Sequence, residues 1–439
     1  MIRRLAAVLM LCLLPCNATS AVQRADGQLV IDVVDSDTQR PIAARMHLKS
    51  ARGRPVKLRL PIDQQFADHF YIDGQITLPL ARGQYTFEID AGPEYFPQTG
   101  HFEIDRRADD QKTIEMRRAV DLAKEGWWAG DLDVLRRPEQ LPLAQRAEAV
   151  HIAPTREQPT DVTHDSLLKF DDRLVARTPF AWDFPVWLAR GELDAIQVIT
   201  PHQLRDDVVD NEGDGRPRDR LMFPSRTGNG RWAEMVYFQV LNCGLRIPPA
   251  AGSGTGENDS PLGTNRTYVY CGDEFTPEAW WDGLEAGRVF ATNGPLLRTR
   301  VHGEPPGYVF RLASDEHLKL EIGLNLATRD PVEYLEIIKN GAIEREARLG
   351  KWAAGGGPLP ALEFDESGGF LVRAVTTNTK KYQLALSGPY YVERAGQPRV
   401  CRASVQFFLD WIDAATAHWR DAKDIDDSTR ASKLARRPA

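Results

Sequence analysis

The sequence contains little cysteine, and its cysteines follow no recognisable pattern. Cys12 and Cys16 lie in an apolar N-terminal stretch, whereas Cys243, Cys271 and Cys401 are widely separated. None of them stands in a CxxC arrangement, which excludes a zinc ribbon and a disulfide framework. The spacing is compatible with one bridge among the last three and equally with three buried thiols.

The chain also lacks an excess of positive charge and a long apolar run after its N-terminus. It has 55 basic and 62 acidic residues and a net charge of -7, which gives no reason to expect a nucleic-acid partner. No later stretch is apolar enough for a transmembrane helix. The chain closes on a basic run that we expect to be a solvated, disordered tail: Arg430, Lys433, Arg436 and Arg437.

Residues 1–21 are typical of a signal peptide. Arg3 and Arg4 precede an apolar stretch over 5–15, and small residues at 18–21 offer a cleavage site. Pro15 precedes Cys16 where a lipoprotein needs a small residue, so lipidation is not expected. The mature protein is therefore predicted to be exported, to the periplasm or the extracellular space.

With 439 residues the chain is too long for one ordinary core, and its patterns divide it. Short runs over 22–118 predict an N-terminal β-sandwich, and in one of them Tyr85, Phe87 and Ile89 share a face. Strands alternating with helices over 119–297 predict an α/β domain with a mainly parallel sheet or a barrel.

Local signals refine the later part of the chain. Thr276 followed by Pro277 is typical of a helix start. Short strands over 298–400 predict a C-terminal β-sandwich. The segment 401–439 should hold a C-terminal helix over about 403–421, whose aromatic face docks on that sandwich, followed by the basic tail. The expected architecture is therefore multidomain, α/β plus all-β.

The most distinctive local motif lies at 126–135, Gly-Trp-Trp-Ala-Gly-Asp-Leu-Asp-Val-Leu. We interpret 131–135 as a strand, so that Asp131, Asp133 and Leu135 share one face. A strand that presents alternate side chains in this way can offer metal ligands at the mouth of a barrel.

This motif resembles the first motif of the polymerase and histidinol phosphatase (PHP) superfamily, in the branch of secreted metallohydrolases related to carbaryl hydrolase. Members read Gly-Asp-Leu-His-x-His, and both histidines bind metal inside a distorted β/α barrel. Further stretches of the chain are similar to one bacterial subgroup of that branch, at 179–189, 241–253, 265–269, 287–295, 388–392 and 407–411. The resemblance implies a central PHP-like barrel between two β-sandwiches.

The metal positions that the resemblance implies are largely replaced. Asp133 and Leu135 stand where the two histidines are expected, and leucine offers no lone pair to a metal. An acidic residue expected near Ala149 is missing, and glycine and threonine at 254–256 follow Ser253 where relatives often carry Asp and His.

Four residues could still form a site. Asp133, His151 and His202 are the candidate ligands for Mn²⁺, Zn²⁺ or Mg²⁺, and Asp131 is the candidate catalytic residue that would orient a ligand or a water. Each also has a structural interpretation, because a buried Asp can accept backbone hydrogen bonds and a single His is commonly a packed core or surface residue. His164 and Glu234 are weaker additions to the set.

Arginines offer a second kind of site. Arg246 and Arg266, with Arg226 and Arg231, could line the same mouth and bind an anion without metal, or they could form surface salt bridges. No phosphate-binding loop and no Gly-x-Ser-x-Gly nucleophile elbow is present.

Two functions follow from these patterns. The first is an exported module without catalysis that binds a small molecule, a glycan or another exported protein, or that acts structurally. The second is an active metal-dependent hydrolase of phosphoester, amide or carbamate bonds with an altered site. The sequence leaves the oligomeric state open.

Overall fold

The computed structural model of the protein describes residues 25–66, 68–156, 166–203, 215–225, 227–350, 359, 361–378, 381–422 and 427–435. The predicted signal peptide, His164, Arg226 and the last two basic residues, Arg436 and Arg437, lie outside these residues. The protein is mixed, with about 21% helix and 40% strand, as the predicted combination of α/β and β-rich parts requires. None of the helices in the described ranges is both long and apolar enough to cross a membrane.

The N-terminal part forms one seven-stranded sheet in the order β6-β5-β2-β3-β4-β1-β7. Its strands are β1 Gly27–Asp35, β2 Ala43–Ser50, β3 Phe70–Asp73, β4 Gln75–Leu80, β5 Gly83–Asp90, β6 Gln98–Ile104 and β7 Asp109–Met116. The alternation predicted for β5 is confirmed, because Tyr85, Phe87 and Ile89 are buried while the residues between them are exposed. These side chains pack into one apolar core with those of the neighbouring strands.

The described residues of the middle part contribute strands to two sheets and form four α-helices. Its strands are β8 Trp127–Gly130, β9 Leu167–Phe170, β10 Arg173–Ala176, β11 Ala195–Ile199, β12 Pro249–Ala251, β13 Arg266–Tyr270 and β14 Val289–Thr292. Its helices are α1 Leu141–Glu148, α2 Phe184–Arg190, α3 Gly228–Asn242 and α4 Pro277–Glu285. The predicted start of α4 is confirmed, since the Thr276 hydroxyl accepts a hydrogen bond from the Ala279 N–H at 3.0 Å.

Parallel pairing in the middle part is limited. In the described ranges, β10 pairs with β11 and β11 with β12 in parallel, but β9–β10, β8–β13 and β13–β14 are antiparallel. The strands therefore form a four-stranded sheet and part of a second sheet, and no closed barrel is seen among these residues.

Some strands of the C-terminal part continue the sheet that contains β8, β13 and β14. Its strands are β15 Leu296–Val301, β16 Val309–Leu312, β17 Leu318–Leu320, β18 Ile322–Ala327, β19 Val332–Lys339, β20 Ala342–Arg348, β21 Leu362–Phe364, β22 Gly368–Thr376, β23 Leu384–Ser387 and β24 Tyr390–Arg394. β14 pairs with β23, in a nine-stranded sheet that also holds β8, β13, β16, β19, β20, β22 and β24. The middle and C-terminal parts thus share one sheet across the expected boundary at 297.

The C-terminal helix forms where it was predicted, and its packing extends beyond the C-terminal strands on which docking was expected. This helix, α5 Arg402–Asp421, contacts α2 and α3. Its Phe408 and Trp411 share a core with Ile338 and Leu371 of the C-terminal strands. The ring centroid of Trp411 lies 6.1 Å from that of Phe184 and 6.2 Å from that of Trp232. The aromatic face of α5 therefore completes an aromatic core of the middle part.

The basic tail is partly helical rather than a disordered segment. Residues Asp427–Ala435 form α6. The Lys433 ammonium is buried, contacts the Asp183 carboxylate and lies 4.9 Å from the centroid of the Trp419 ring. Both contacts are long-range, so the local charge pattern gave no sign of them. Cys243, Cys271 and Cys401 are free thiols.

Candidate functional site

The segment that follows β8 is irregular, which corrects the prediction of a strand over 131–135. β8 ends at Gly130, and beyond it Val134 makes isolated bridges to Thr155 and Thr255. The Asp131 carboxylate accepts a hydrogen bond from the Asp133 N–H at 3.1 Å. This local side-chain bond replaces a strand ladder bond and turns the chain, so the alternating face assumed for a strand does not form.

Asp131 acts as a structural acceptor at the centre of this segment. Its fully buried carboxylate also accepts the N–H groups of Ser253 at 3.0 Å and of Gly263 at 2.8 Å. Burial raises the pKa of Asp131 to about 6, while these hydrogen bonds oppose the rise. The arrangement matches the structural interpretation considered for this residue, in which Asp131 joins three chain segments.

Asp133 is also fully buried, and arginines engage both of its oxygens. Its Oδ1 accepts a hydrogen bond from Arg156 Nε at 2.8 Å, and its Oδ2 accepts one from Arg177 Nε at 2.8 Å. Both guanidinium groups also contact Glu257, Arg156 Nη2 at 2.5 Å from Oε2. We call Asp133, Arg156, Arg177 and Glu257 the arginine–carboxylate cluster. Its two positive charges balance two negative ones.

The loop over 252–256 runs against Asp133 with no room for further side chains. A Cβ at Gly252 would lie 2.5 Å from the Asp133 Cβ, and one at Gly256 would lie 1.9 Å from the Leu135 carbonyl oxygen. Gly256 has φ +93°, a conformation that other residues rarely adopt. The loop therefore supplies backbone contacts where the resemblance would place an Asp and a His.

His151 and His202 lie in aromatic surroundings. The His151 ring meets Trp128 edge-on with centroids 4.7 Å apart and lies 5.4 Å from Phe275. Burial and the nearby Arg266 charge lower the pKa of His151 to about 4, so its imidazole is neutral at pH 7. His202 lies in a short 3-10 turn after β11, with its ring centroid 5.4 Å from that of Phe180.

The candidate metal ligands are not brought together as a group of three. In the described residues, the only three His, Cys, Asp or Glu side chains whose ligand atoms lie within 4.8 Å of one another are His47, Asp68 and His69. Asp133, His151 and His202 form no such set. Glu234, the weaker addition, pairs with Arg373 at 2.6 Å and accepts a hydrogen bond from the Tyr382 hydroxyl at 2.9 Å.

The two candidate anion-binding arginines lie in separate places. Arg246 pairs with Glu393 and lies 5.2 Å from the Tyr391 ring centroid. Arg266 is buried and donates to the carbonyl oxygens of Gly263 at 2.6 Å and Glu148 at 2.9 Å. They therefore do not line one mouth.

Arg266 instead lines a polar cavity where the N-terminal, middle and C-terminal parts meet, which we call the junction cavity. Its volume is about 190 Å³. Charged residues from all three parts contribute, with hydroxyl and amide groups between them: Arg45, Asp90, Glu148, Arg266, Arg329, Asp330, Lys381, Thr264, Thr292, Asn293, Thr328, Thr376 and Gln383.

Ion pairs balance most of the charge around the junction cavity. Arg45 pairs with Glu148 at 2.5 Å and with Asp90 at 3.1 Å. Arg329 holds both Asp90 oxygens, with Nη1–Oδ2 at 2.9 Å and Nη2–Oδ1 at 2.7 Å. This cavity could not be predicted from the sequence, because its residues are far apart in the chain and form no local motif.

Comparison with known proteins gives no family. No protein-family model matches the sequence, and no curated protein matches it. Among solved structures, the Bacillus anthracis TIE protein is 18% identical over 25% of this chain and 19% of that one, with a TM-score of 0.17. Parabacteroides merdae beta-glucuronidase is 10% identical over 81% and 61%, with a TM-score of 0.17.

A third structure, the N-terminal four Ig domains of Dscam1 isoform 4.44, is 9% identical over 85% of this chain and 74% of that one, with a TM-score of 0.16. The chain spans about a fifth of the length of the TIE protein and less than two thirds of the glucuronidase. Likenesses at these scores carry no argument about fold or function.

Proposed function

We propose that the protein is an exported, metallohydrolase-like binding protein in which the arginine–carboxylate cluster stands in the place of a catalytic metal. One observation carries this proposal: each oxygen of the buried Asp133 carboxylate is held by a different arginine. In the resemblance to the PHP superfamily, Asp133 occupies the position of a metal-binding histidine. The specific architecture, a PHP-derived barrel scaffold between two β-sandwiches, is part of the same proposal.

Electrostatics explains why a metal would bind poorly beside Asp133. A guanidinium stays charged at any ordinary pH, so Arg156 and Arg177 remain cations. Two unit charges 4 Å apart interact by about 4 kcal/mol at an effective dielectric constant of about 20. A divalent ion would meet roughly twice that repulsion from each nearby arginine, and it would also have to displace their hydrogen bonds to Asp133.

The binding role is assigned to the junction cavity. Its volume of about 190 Å³ is smaller than that of a drug-sized pocket, so the ligand is a small molecule or one sugar unit of a glycan. The Thr376 hydroxyl lines the cavity and has no hydrogen-bond partner among the described residues, and a free hydroxyl of this kind suits a ligand with several hydroxyl groups. Two of the basic lining residues, Arg45 and Arg329, are paired with Asp90 and Glu148, whereas Arg266 donates to carbonyl oxygens.

Export is proposed from residues 1–21. If the protein is made in a bacterium with a secretory pathway, N-terminal sequencing of the periplasmic or secreted form should begin after Ser20 or Ala21. A chain recovered from the cytoplasm with Met1 intact would contradict this part of the proposal.

The proposed lack of hydrolase activity is tested with phosphoester, amide and carbamate substrates in the presence of Mn²⁺, Zn²⁺ or Mg²⁺. We expect no hydrolysis above that of an unrelated protein, and no metal binding that depends on Asp133. Metal-dependent hydrolysis that is lost in Asp133→Asn and in His202→Ala would overturn the proposal and establish the altered hydrolase site instead.

Ligand binding at the junction cavity is tested by isothermal titration calorimetry with a panel of monosaccharides and small polyols. We expect one site per chain, weakened by Gln383→Ala at the cavity and unchanged by Gln406→Ala, an exposed glutamine on α5. Binding that is equal in both variants would place the ligand elsewhere.

A further inference from the structure

We infer that His47, Asp68 and His69 form a binding site for a divalent transition-metal ion of the zinc type. These residues belong to the N-terminal sheet and share none with the arginine–carboxylate cluster or the junction cavity. The inference is therefore independent of the proposed function.

Strand register brings the two histidines together. Strands β2 and β3 are antiparallel, with Met46 opposite Phe70. Continuing that register by one residue places His47 opposite His69, on the face away from the core that holds Met46. Their ring centroids lie 5.4 Å apart. Residues paired in this way have side chains close enough to share one ion.

The Asp68 carboxylate lies between the two imidazoles. Its Oδ1 is 2.8 Å from His69 Nδ1, and its Oδ2 is 3.5 Å from His47 Nδ1. One ligand atom from each residue lies within 4.8 Å of the others. An ion with bonds of about 2.0–2.2 Å to nitrogen and oxygen fits between donors at such separations after small side-chain rotations.

Packing restricts the His69 ring before any ion binds. The side chain is only 2% exposed, stacks on Phe66 with centroids 5.0 Å apart and meets Tyr71 edge-on at 5.4 Å. Its Nε2 is buried without a hydrogen-bond partner in the described residues, so Nδ1 is the nitrogen that faces the group. A ligand ring held in this way loses little conformational entropy on binding.

The donor set selects the class of ion. Two imidazole nitrogens and one carboxylate oxygen suit Zn²⁺, Co²⁺, Ni²⁺ or Cu²⁺ rather than the oxygen-preferring Mg²⁺ and Ca²⁺. Access from solvent is through a cavity of about 370 Å³, whose charged and imidazole-bearing lining residues are His47, Lys49, Asp68 and Glu88. A water molecule in that cavity can complete the coordination. The ion would link His47 on β2 to Asp68 and His69, which directly precede β3.

The experiment uses the full chain after EDTA treatment, titrated with Co²⁺ while the visible absorption of the ion is recorded, and with Zn²⁺ in competition. We expect one equivalent of Co²⁺ per chain, displaced by Zn²⁺. Loss of a ligand should cost more than the 10–100-fold in affinity that is typical when only an outer hydrogen-bond partner is lost, so His47→Ala and Asp68→Asn should each weaken binding by about a hundredfold or more.

The matched control is His101→Ala, which removes an exposed histidine from β6 of the same sheet and should bind as the wild type does. Circular dichroism spectra of the variants establish that each is folded. Absence of any Co²⁺ or Zn²⁺ binding would overturn this inference and leave the proposed function standing. Binding that survives His47→Ala and Asp68→Asn but is lost in Asp133→Asn would overturn both.

Discussion

At the scale of single residues, Asp133 shows how a fully buried carboxylate is satisfied by charged groups of the protein. A buried carboxylate needs partners, because leaving it unpaired in a poorly solvated site costs several kcal/mol. Arg156 and Arg177 supply two, and Glu257 balances the second positive charge. The sequence identified Asp133 as unusual, but both arginines come from distant segments, so their convergence could not be derived from local spacing.

The cluster predicts a large loss of stability when one arginine is removed. Arg177→Met keeps the apolar stem but leaves one oxygen of the fully buried Asp133 without its partner. Because Arg156 stays in place, we expect a cost of about 2–4 kcal/mol, somewhat below that of a fully broken buried pair. Urea denaturation followed by circular dichroism measures the change in the free energy of unfolding.

Arg173→Met is the matched control, since Arg173 lies four residues earlier and pairs with the 44% exposed Glu285. Pairs of that kind contribute about 0–1 kcal/mol. If both variants lost the same stability, the buried arginine–carboxylate cluster would stabilise the protein no more than an exposed ion pair does.

At the scale of secondary-structure elements, strand alternation and helix capping were predictable from the sequence, but the conformation of the segment carrying Asp131 and Asp133 was not. The alternation of β5 and the N-cap of α4 depend on neighbouring residues alone, and both were confirmed. The strand expected at 131–135 was wrong because the Asp131 carboxylate binds backbone groups from two distant loops as well as its own. Tertiary hydrogen bonds of this kind override the local propensity that a sequence pattern reports.

The loop over 252–256 gives a prediction at this scale. Gly256→Ala would place a Cβ 1.9 Å from the Leu135 carbonyl oxygen in a backbone with φ +93°. We expect a loss of about 3 kcal/mol or more, because strain and a steric clash add. Gly272→Ala shares the positive φ of +79° but meets no atom within 4 Å, so it should cost only about 1 kcal/mol.

Thermal and urea denaturation of the two alanine variants separate the cost of backbone strain from the cost of the steric clash. A similar loss in both would mean that backbone strain alone matters and that the loop can move away from Leu135. A large difference would show that the loop is held against the segment carrying Asp133, with no space for a ligand side chain at position 256.

At the scale of the whole molecule, the mixed fold class was predictable, but the way the parts join was not. Each part has its own alternation of apolar residues, which a sequence shows directly. The pairing of β14 with β23 joins segments about a hundred residues apart, and its register is Phe290 opposite Ser387. The same limit applies to α5, whose apolar stripe predicted burial but not the surface that it covers.

Arg329 gives the prediction that belongs to this scale, because it connects the C-terminal part to the N-terminal sheet. Its guanidinium binds both oxygens of Asp90 and donates from Nε to the Tyr95 carbonyl oxygen at 2.8 Å. Although burial opposes it, this contact lowers the pKa of Asp90, which therefore stays ionised at neutral pH. Removing the guanidinium would leave the buried Asp90 carboxylate with Arg45 as its remaining ion-pair partner among the described residues.

Arg329→Met should therefore destabilise the protein by about 2–3 kcal/mol. It should also loosen the N-terminal sheet before the rest unfolds, because it removes the ion pair that ties Asp90 of this sheet to the C-terminal part. Limited proteolysis under native conditions should then cut faster between β7 and β8, where mass spectrometry locates the cleavage. Arg345→Met changes an exposed residue that pairs with its neighbour Glu344, and it should leave the cleavage pattern unchanged. Equal cleavage rates in the two variants would mean that apolar packing, and not Arg329, holds the N-terminal sheet in place.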